Sequence, residues 1–159
     1  AVAGRVLMRC SRSGSRGHAE TISEGLGEFH VAPMVNVTNR HFRQLMRFIT
    51  KRATLWTEMI KVDKKLLSSQ EVQHRCWDFH PKQHPVVLQL ASAVPAQLHK
   101  AVALAAPWGY DEINLNCGCP SGEDGDATFG AALMRDPARA SDLAAAMLEA
   151  AGSVPISIK

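Results

Sequence analysis

The chain has 159 residues, 46% hydrophobic and 21% charged, with a formal net charge of +3. That much apolar chain can bury a core and excludes an intrinsically disordered protein. No apolar run approaches the roughly 18 residues of a membrane-spanning helix, and four cysteines do not make a disulfide scaffold in a chain of this length.

Residues 1–17 contain Arg5, Arg9, Arg12 and Arg16, with serine and glycine and no acidic residue. This composition predicts an organelle transit segment or a plain tail, so residues 1–27 are read as standing outside the fold. The expected location is then a chloroplast or mitochondrion, and otherwise the cytoplasm. Charge is also uneven further on. Residues 36–82 hold ten Lys and Arg against four Asp and Glu, whereas residues 110–150 hold two against eight. A basic half fits contact with a polyanion such as nucleic acid, or a set of solvated helix faces.

The folded part, residues 28–159, alternates between strand-like and helix-like segments. Phe29 to Met34 predicts a short strand. Thr38 or Asn36 is read as the cap of a helix whose apolar stripe is Phe42, Leu45, Met46 and Ile49, with Arg40, Arg43 and Arg47 off that stripe. Thr54 to Ile60 predicts a second strand, and residues 61–83 a loop with some helix. The run PVVLQL (Pro85 to Leu90) predicts a buried parallel strand. Pro95 starts a helix reaching about Ala106. DEINLN (Asp111 to Asn116) predicts a fourth strand, followed by the loop CGCPSGEDGDATFG. Asp136 caps a helix that Pro137 starts and Gly152 stops. VPISIK (Val154 to Lys159) predicts a fifth strand. Alternating strands and helices imply α/β architecture with a parallel sheet.

Ligands of parallel α/β folds bind at the carboxyl ends of the strands. Pro33, Met34, Thr38, Thr57, Glu58, Gln89, Asn116, Cys119 and Lys159 fall at those ends. A ring of polar groups at one mouth points to a polar, planar ligand. Each also has a plain alternative: Gln89 as a paired core amide, Glu58 as the partner of an arginine, Cys119 as a small buried hydrophobe. Cys117 and Cys119 form a C-x-C without a second pair, so no metal site is expected.

The segments APMVNVTNRHFR, LWTEMI, HPVVLQL, GYDEINLNCGCPS, FGAALM and VPISIK resemble, in order and spacing, the tRNA-dihydrouridine synthases, most of all the bacterial A-type. The resemblance implies a TIM (β/α)8 barrel of the FMN-linked oxidoreductase type, here truncated after the fifth strand, since such barrels take about 250 residues. It implies reduction of the 5,6 double bond of uridine at tRNA D-loop positions 20 and 20a, with FMN as cofactor, NADPH as reductant, tRNA as partner and a monomeric complete protein. Cys119 then corresponds to the general acid that protonates C5 of uracil while hydride from FMN reaches C6. Asn116 corresponds to a residue holding the substrate base. Pro33, Met34, Gln89 and Lys159 correspond to flavin-binding residues. Arg40 and Arg43, on the Arg-rich first helix, are candidates to meet tRNA phosphates. A thiol is largely protonated at neutral pH, which suits the acid role. The target base must leave its stack, so a base-extruding pocket is expected. Two stretches depart from the family pattern: NVTN follows Met34 where the A-type favours acidic and aromatic residues, and Glu123, Asp124 and Asp126 would face the catalytic mouth and repel phosphate. Two other readings stay open, a non-catalytic RNA-binding remnant and a different FMN barrel oxidoreductase acting on a small molecule.

Overall fold

The computed structural model describes residues 29–120 and 128–159, together with the backbone of residues 6–7. The strands are β1 (Val6–Leu7), β2 (His30–Val31), β3 (Thr54–Lys61), β4 (Val86–Ala91), β5 (Glu112–Leu115) and β6 (Ile156–Ile158). The α-helices are α1 (Arg40–Ile49), α2 (Lys64–Ser68), α3 (Gln70–Trp77), α4 (Pro95–Ala105) and α5 (Pro137–Ala150). Strands β2 to β6 pair in chain order and all run parallel. These are five consecutive steps of a partial (β/α)8 barrel, each predicted strand lying where its apolar run stood. β1 lies antiparallel on the outer edge of β6, with Val6 opposite Ile158 and Leu7 opposite Ser157. Two residues of the segment read as standing outside the fold thus pair with the sheet. The rest of residues 1–27, and Glu123, Asp124 and Asp126, lie outside the described residues.

One face of the sheet is apolar and covered by helices. Leu88, Leu90, Ile113, Leu115 and Ile156 pack with Leu98 and Val102 of α4 and Leu143 and Met147 of α5. Burying each such side chain stabilises the fold by about 1.5–3 kcal/mol. Helix starts follow local chemistry. Pro95 and Pro137 occupy first turns, where their missing N–H is not needed, and Asp136 accepts the Arg139 amide. The opposite face is polar in one layer. Gln89 stands opposite Asn114, and Asn114 opposite Ser157, with all three buried.

Helix α1 reverses the expectation drawn from its apolar stripe. Asn39 rather than Thr38 or Asn36 caps it, accepting from the His41 and Phe42 amides. Arg43 and Arg47 face inward, 2% and 8% exposed, while Leu45, Phe48 and Ile49 are exposed. The reason is the set of acceptors beneath the helix. Arg43 donates to the Thr38 carbonyl (2.7 Å), Gln83 Oε1 (3.2 Å) and the Asp78 carbonyl (3.2 Å). Arg47 donates to the carbonyls of Thr50, Ala53 and Gln83. The planar, five-donor guanidinium supplies donors to carbonyls of the segments around the helix. Burial holds the Arg43 guanidinium below its usual range, partly offset by Tyr110, Glu58 and Asp78. Arg43 is therefore not available to tRNA phosphates, and that part of the expectation is corrected.

Arg43→Ala should lower stability by about 3 kcal/mol, because three acceptors lose their donor inside the protein. Arg40 makes an exposed ion pair with Asp78 at 3.0 Å. Arg40→Ala should cost under about 1 kcal/mol. Urea unfolding of both variants checks the contrast.

Candidate active site

Three segments at the carboxyl ends of the strands make up the site. The first follows β2. Thr38 is buried, and its hydroxyl accepts the Met34 N–H (3.0 Å) and donates to the Met34 carbonyl (3.1 Å). This staples the turn that presents Pro33, which is half-buried, and Met34, which is exposed. Asn36 adopts φ 61°, and its N–H donates to Glu58 Oε1 at 2.6 Å.

The second segment is the end of β3. Its register with β4 shifts between Trp56 and Met59. At that bulge the Thr57 hydroxyl accepts the Gln89 N–H at 3.0 Å and donates to the Glu58 carbonyl. The irregularity directs the Glu58 carboxylate to the first loop. Beyond it, the Lys61 ammonium lies 5.4 Å from the centre of the Phe129 ring.

The third segment follows β5 and carries Cys119. Asn116 is buried beneath it. Its Oδ1 accepts the N–H groups of Gly118 (3.3 Å) and Cys119 (3.0 Å), an Asx-type turn. Its Nδ2 donates to Gln89 Oε1 at 3.0 Å. The Cys119 carbonyl accepts the Ala131 N–H at 2.9 Å. Gly130, at φ +67°, lies against that carbonyl so closely that a Cβ there would sit 2.4 Å from the Cys119 oxygen. Both backbone polar groups of Cys119 are thus held, while its side chain is half-buried at the mouth. The Lys159 backbone closes the segment, its N–H bonding Leu115 and its carbonyl accepting from Cys117, and the residue is exposed.

The structure therefore gathers Gln89, Asn116, Cys119 and the Lys159 backbone, with Pro33 and Met34 on the neighbouring loop. The contacts of Asn116 within the protein are with the cysteine turn and Gln89. Arg40 stands apart, beside a cavity of about 960 Å³ whose lining includes Glu58, Lys61, Lys65, Arg75 and Asp78. The sequence signal for Gly130 is slight, a glycine opening the apolar run of FGAALM. Among the described residues no cluster of three His, Cys, Asp or Glu could hold a metal ion.

Gly130→Ala combines a left-handed φ with a backbone clash, so it should destabilise by at least about 2 kcal/mol. Thermal melts, and faster hydrogen exchange at the Ala131 amide, check this. Cys117 is buried, and burial pushes its thiol up to about 11 from 9.0. The raised value favours the folded state's thiol, so its stabilising share is complete below pH 9 and is lost as pH rises towards about 11. Cys117→Ala should flatten the fall in melting temperature across that window relative to wild type.

The chain is similar to curated proteins over most of its length. It is 44% identical over 135 residues to a tRNA-dihydrouridine(20/20a) synthase of Xylella fastidiosa, covering 84% of this chain and 40% of that protein. It is 44% identical to the protein of the same name in Xanthomonas axonopodis, covering 81% of this chain and 37% of the relative. In Synechocystis the corresponding identity is 40%, covering 81% and 37%. The chain thus spans about two fifths of the length of these relatives. The family model described as dihydrouridine synthase (Dus) matches residues 30–159, from β2 to the end of the chain and across every residue that forms the site, so the chain belongs to the dihydrouridine synthase family.

Proposed function

We propose that this chain carries the catalytic cysteine of a tRNA-dihydrouridine(20/20a) synthase that uses FMN and takes its electrons from NADPH. The observation that carries the reading is the Cys119 turn. A thiol stands at the mouth of a parallel barrel sheet with both its backbone N–H and its carbonyl held. Relatives bearing the name of this activity support it.

Reducing the uracil 5,6 bond adds a hydride at C6 and a proton at C5. Bound FMN would supply the hydride chemistry. The residues at the mouth suit such a group. Gln89 Nε2 gives one N–H to Asn114 and Oε1 takes one N–H from Asn116, which fixes the donor and acceptor sides of the carboxamide beneath the mouth. Lys159 adds an exposed cation that would offset negative charge, and the stapled loop brings Pro33 and Met34. Cys119 gives its thiol proton to C5, and the fixed backbone sets the direction from which that proton comes. Arg40, Lys61, Lys65 and Arg75 around the neighbouring cavity suit a phosphate backbone.

A complete protein carrying this chain, supplied with FMN, NADPH and tRNA lacking dihydrouridine, should form dihydrouridine at positions 20 and 20a, read by mass spectrometry of digested tRNA. Cys119→Ala should slow this on the order of 100-fold, the scale of a lost general acid. An unchanged rate would remove Cys119 from the chemistry. Flavin-dependent turnover of a free pyrimidine with none in tRNA would favour a small-molecule oxidoreductase.

A further inference from the structure

We infer that Glu112, Asn114 and Ser157 are positioning residues that set the Cys119 turn and the Gln89 carboxamide from inside the sheet. The inference rests on the reading of Cys119 and Gln89 given under Proposed function. All three residues, and Gln89, are at most 2% exposed. They form one continuous line of hydrogen bonds. Ser157 Oγ donates to Glu112 Oε1. Asn114 Nδ2 donates to Ser157 Oγ at 2.7 Å. Gln89 Nε2 donates to Asn114 Oδ1 at 2.9 Å. Asn116 Nδ2 donates to Gln89 Oε1 at 3.0 Å, and Asn116 Oδ1 receives the Cys119 and Gly118 amides.

The direction of this line follows from its inner end. A carboxylate only accepts. The single proton of Ser157 goes to it, so Ser157 must receive from its other neighbour. Asn114 then has to turn its nitrogen to Ser157 and its oxygen to Gln89. Gln89 must turn its nitrogen to Asn114 and its oxygen to Asn116. Asn116 is left with its oxygen facing the turn, which is the orientation that seats the Cys119 amide. Flipping any one carboxamide would oppose donor to donor and acceptor to acceptor on both its sides, leaving buried groups unpaired.

Packing alone does not call for such a line. Val87 and Ala91, two residues either side of Gln89 on the same strand face, are buried and apolar. An apolar layer would fill the same space without directional demands. The row is the line of hydrogen bonds that connects Glu112 and Ser157 to Cys119.

Ser157→Ala removes the link between Asn114 and the carboxylate while leaving every side chain at the mouth in place. Ser157→Thr keeps the hydroxyl. The readouts are iodoacetamide alkylation of Cys119, followed by peptide mass spectrometry across pH, and FMN titration by fluorescence quenching. Cys117, buried in the same segment, serves as the internal control. In Ser157→Ala the Cys119 alkylation rate should rise about fivefold and FMN affinity should fall by a similar factor, the worth of one net hydrogen bond. Ser157→Thr should restore both. A Ser157→Ala protein that melts lower yet shows the wild-type Cys119 rate and pH profile would overturn the inference. If Ser157→Ala fails to fold, Asn114→Leu and Glu112→Gln carry the same test, the first cutting the line and the second keeping an acceptor at its end. Changed alkylation in a chain that takes no FMN would uphold the row and sink the flavin reading. FMN binding with unchanged alkylation would do the reverse.

Discussion

The Asn116 carboxamide accepts two backbone amides on one side and donates to Gln89 on the other, and the mouth of the sheet is arranged around it. A carboxamide sealed in the protein has to be paired on both atoms. Here the two pairings belong to different parts of the molecule. One ends in the loop that bears the thiol, and the other in the interior layer of the sheet. The cysteine turn is therefore anchored to the buried layer of the sheet rather than to its surface. Gly130 completes the arrangement from outside, because only a residue without a side chain can approach the Cys119 carbonyl so closely.

A second consequence of pairing shapes α1. Carbonyls in the segments between strands and helices lie outside the sheet's own hydrogen bonds and still need donors. In this chain Arg43 and Arg47 reach across from the helix to the carbonyls of Thr38, Asp78, Ala53 and Gln83. Two guanidiniums thereby displace aliphatic side chains from the inward face. Leu45, Phe48 and Ile49 are exposed as a result. Amphipathicity is a statement about which side of a helix is apolar. Which side faces the sheet depends on what the sheet demands.

This distinction explains what the sequence could and could not reveal. The five parallel strands, the proline-started helices α4 and α5 and the cysteine loop were legible because their signals are local: continuous apolar runs, Pro95, Pro137, and a Gly-Cys-Pro turn. The site's end of the sheet was legible from topology, since Asn116, Cys119 and Lys159 all follow strands. The orientation of α1 was not, because the partners of Arg43 lie as far as forty residues away. The interior row was half legible. Gln89 and Asn114 are polar residues in apolar strands, yet their pairing with each other and with Ser157 depends on register across three strands, which no single segment encodes.

The same device holds two of the site's three segments, the loop after β2 twice over and the loop after β5 once. Thr38 holds Met34, Glu58 holds Asn36, and Asn116 holds Cys119, each by a side-chain oxygen accepting a backbone N–H. Such bonds fix where a residue's backbone stands without constraining what its side chain is. Frame and chemistry are thereby separated. The turn at Cys119 is held through that residue's N–H and carbonyl, so the turn does not depend on which side chain stands there. The residues that cannot vary freely are those that supply the oxygen atoms and the one that supplies empty space, Gly130. Shape at the mouth is thus set by the side-chain oxygens of Thr38, Glu58 and Asn116 and by the space left at Gly130, and Cys119 enters that frame through its backbone.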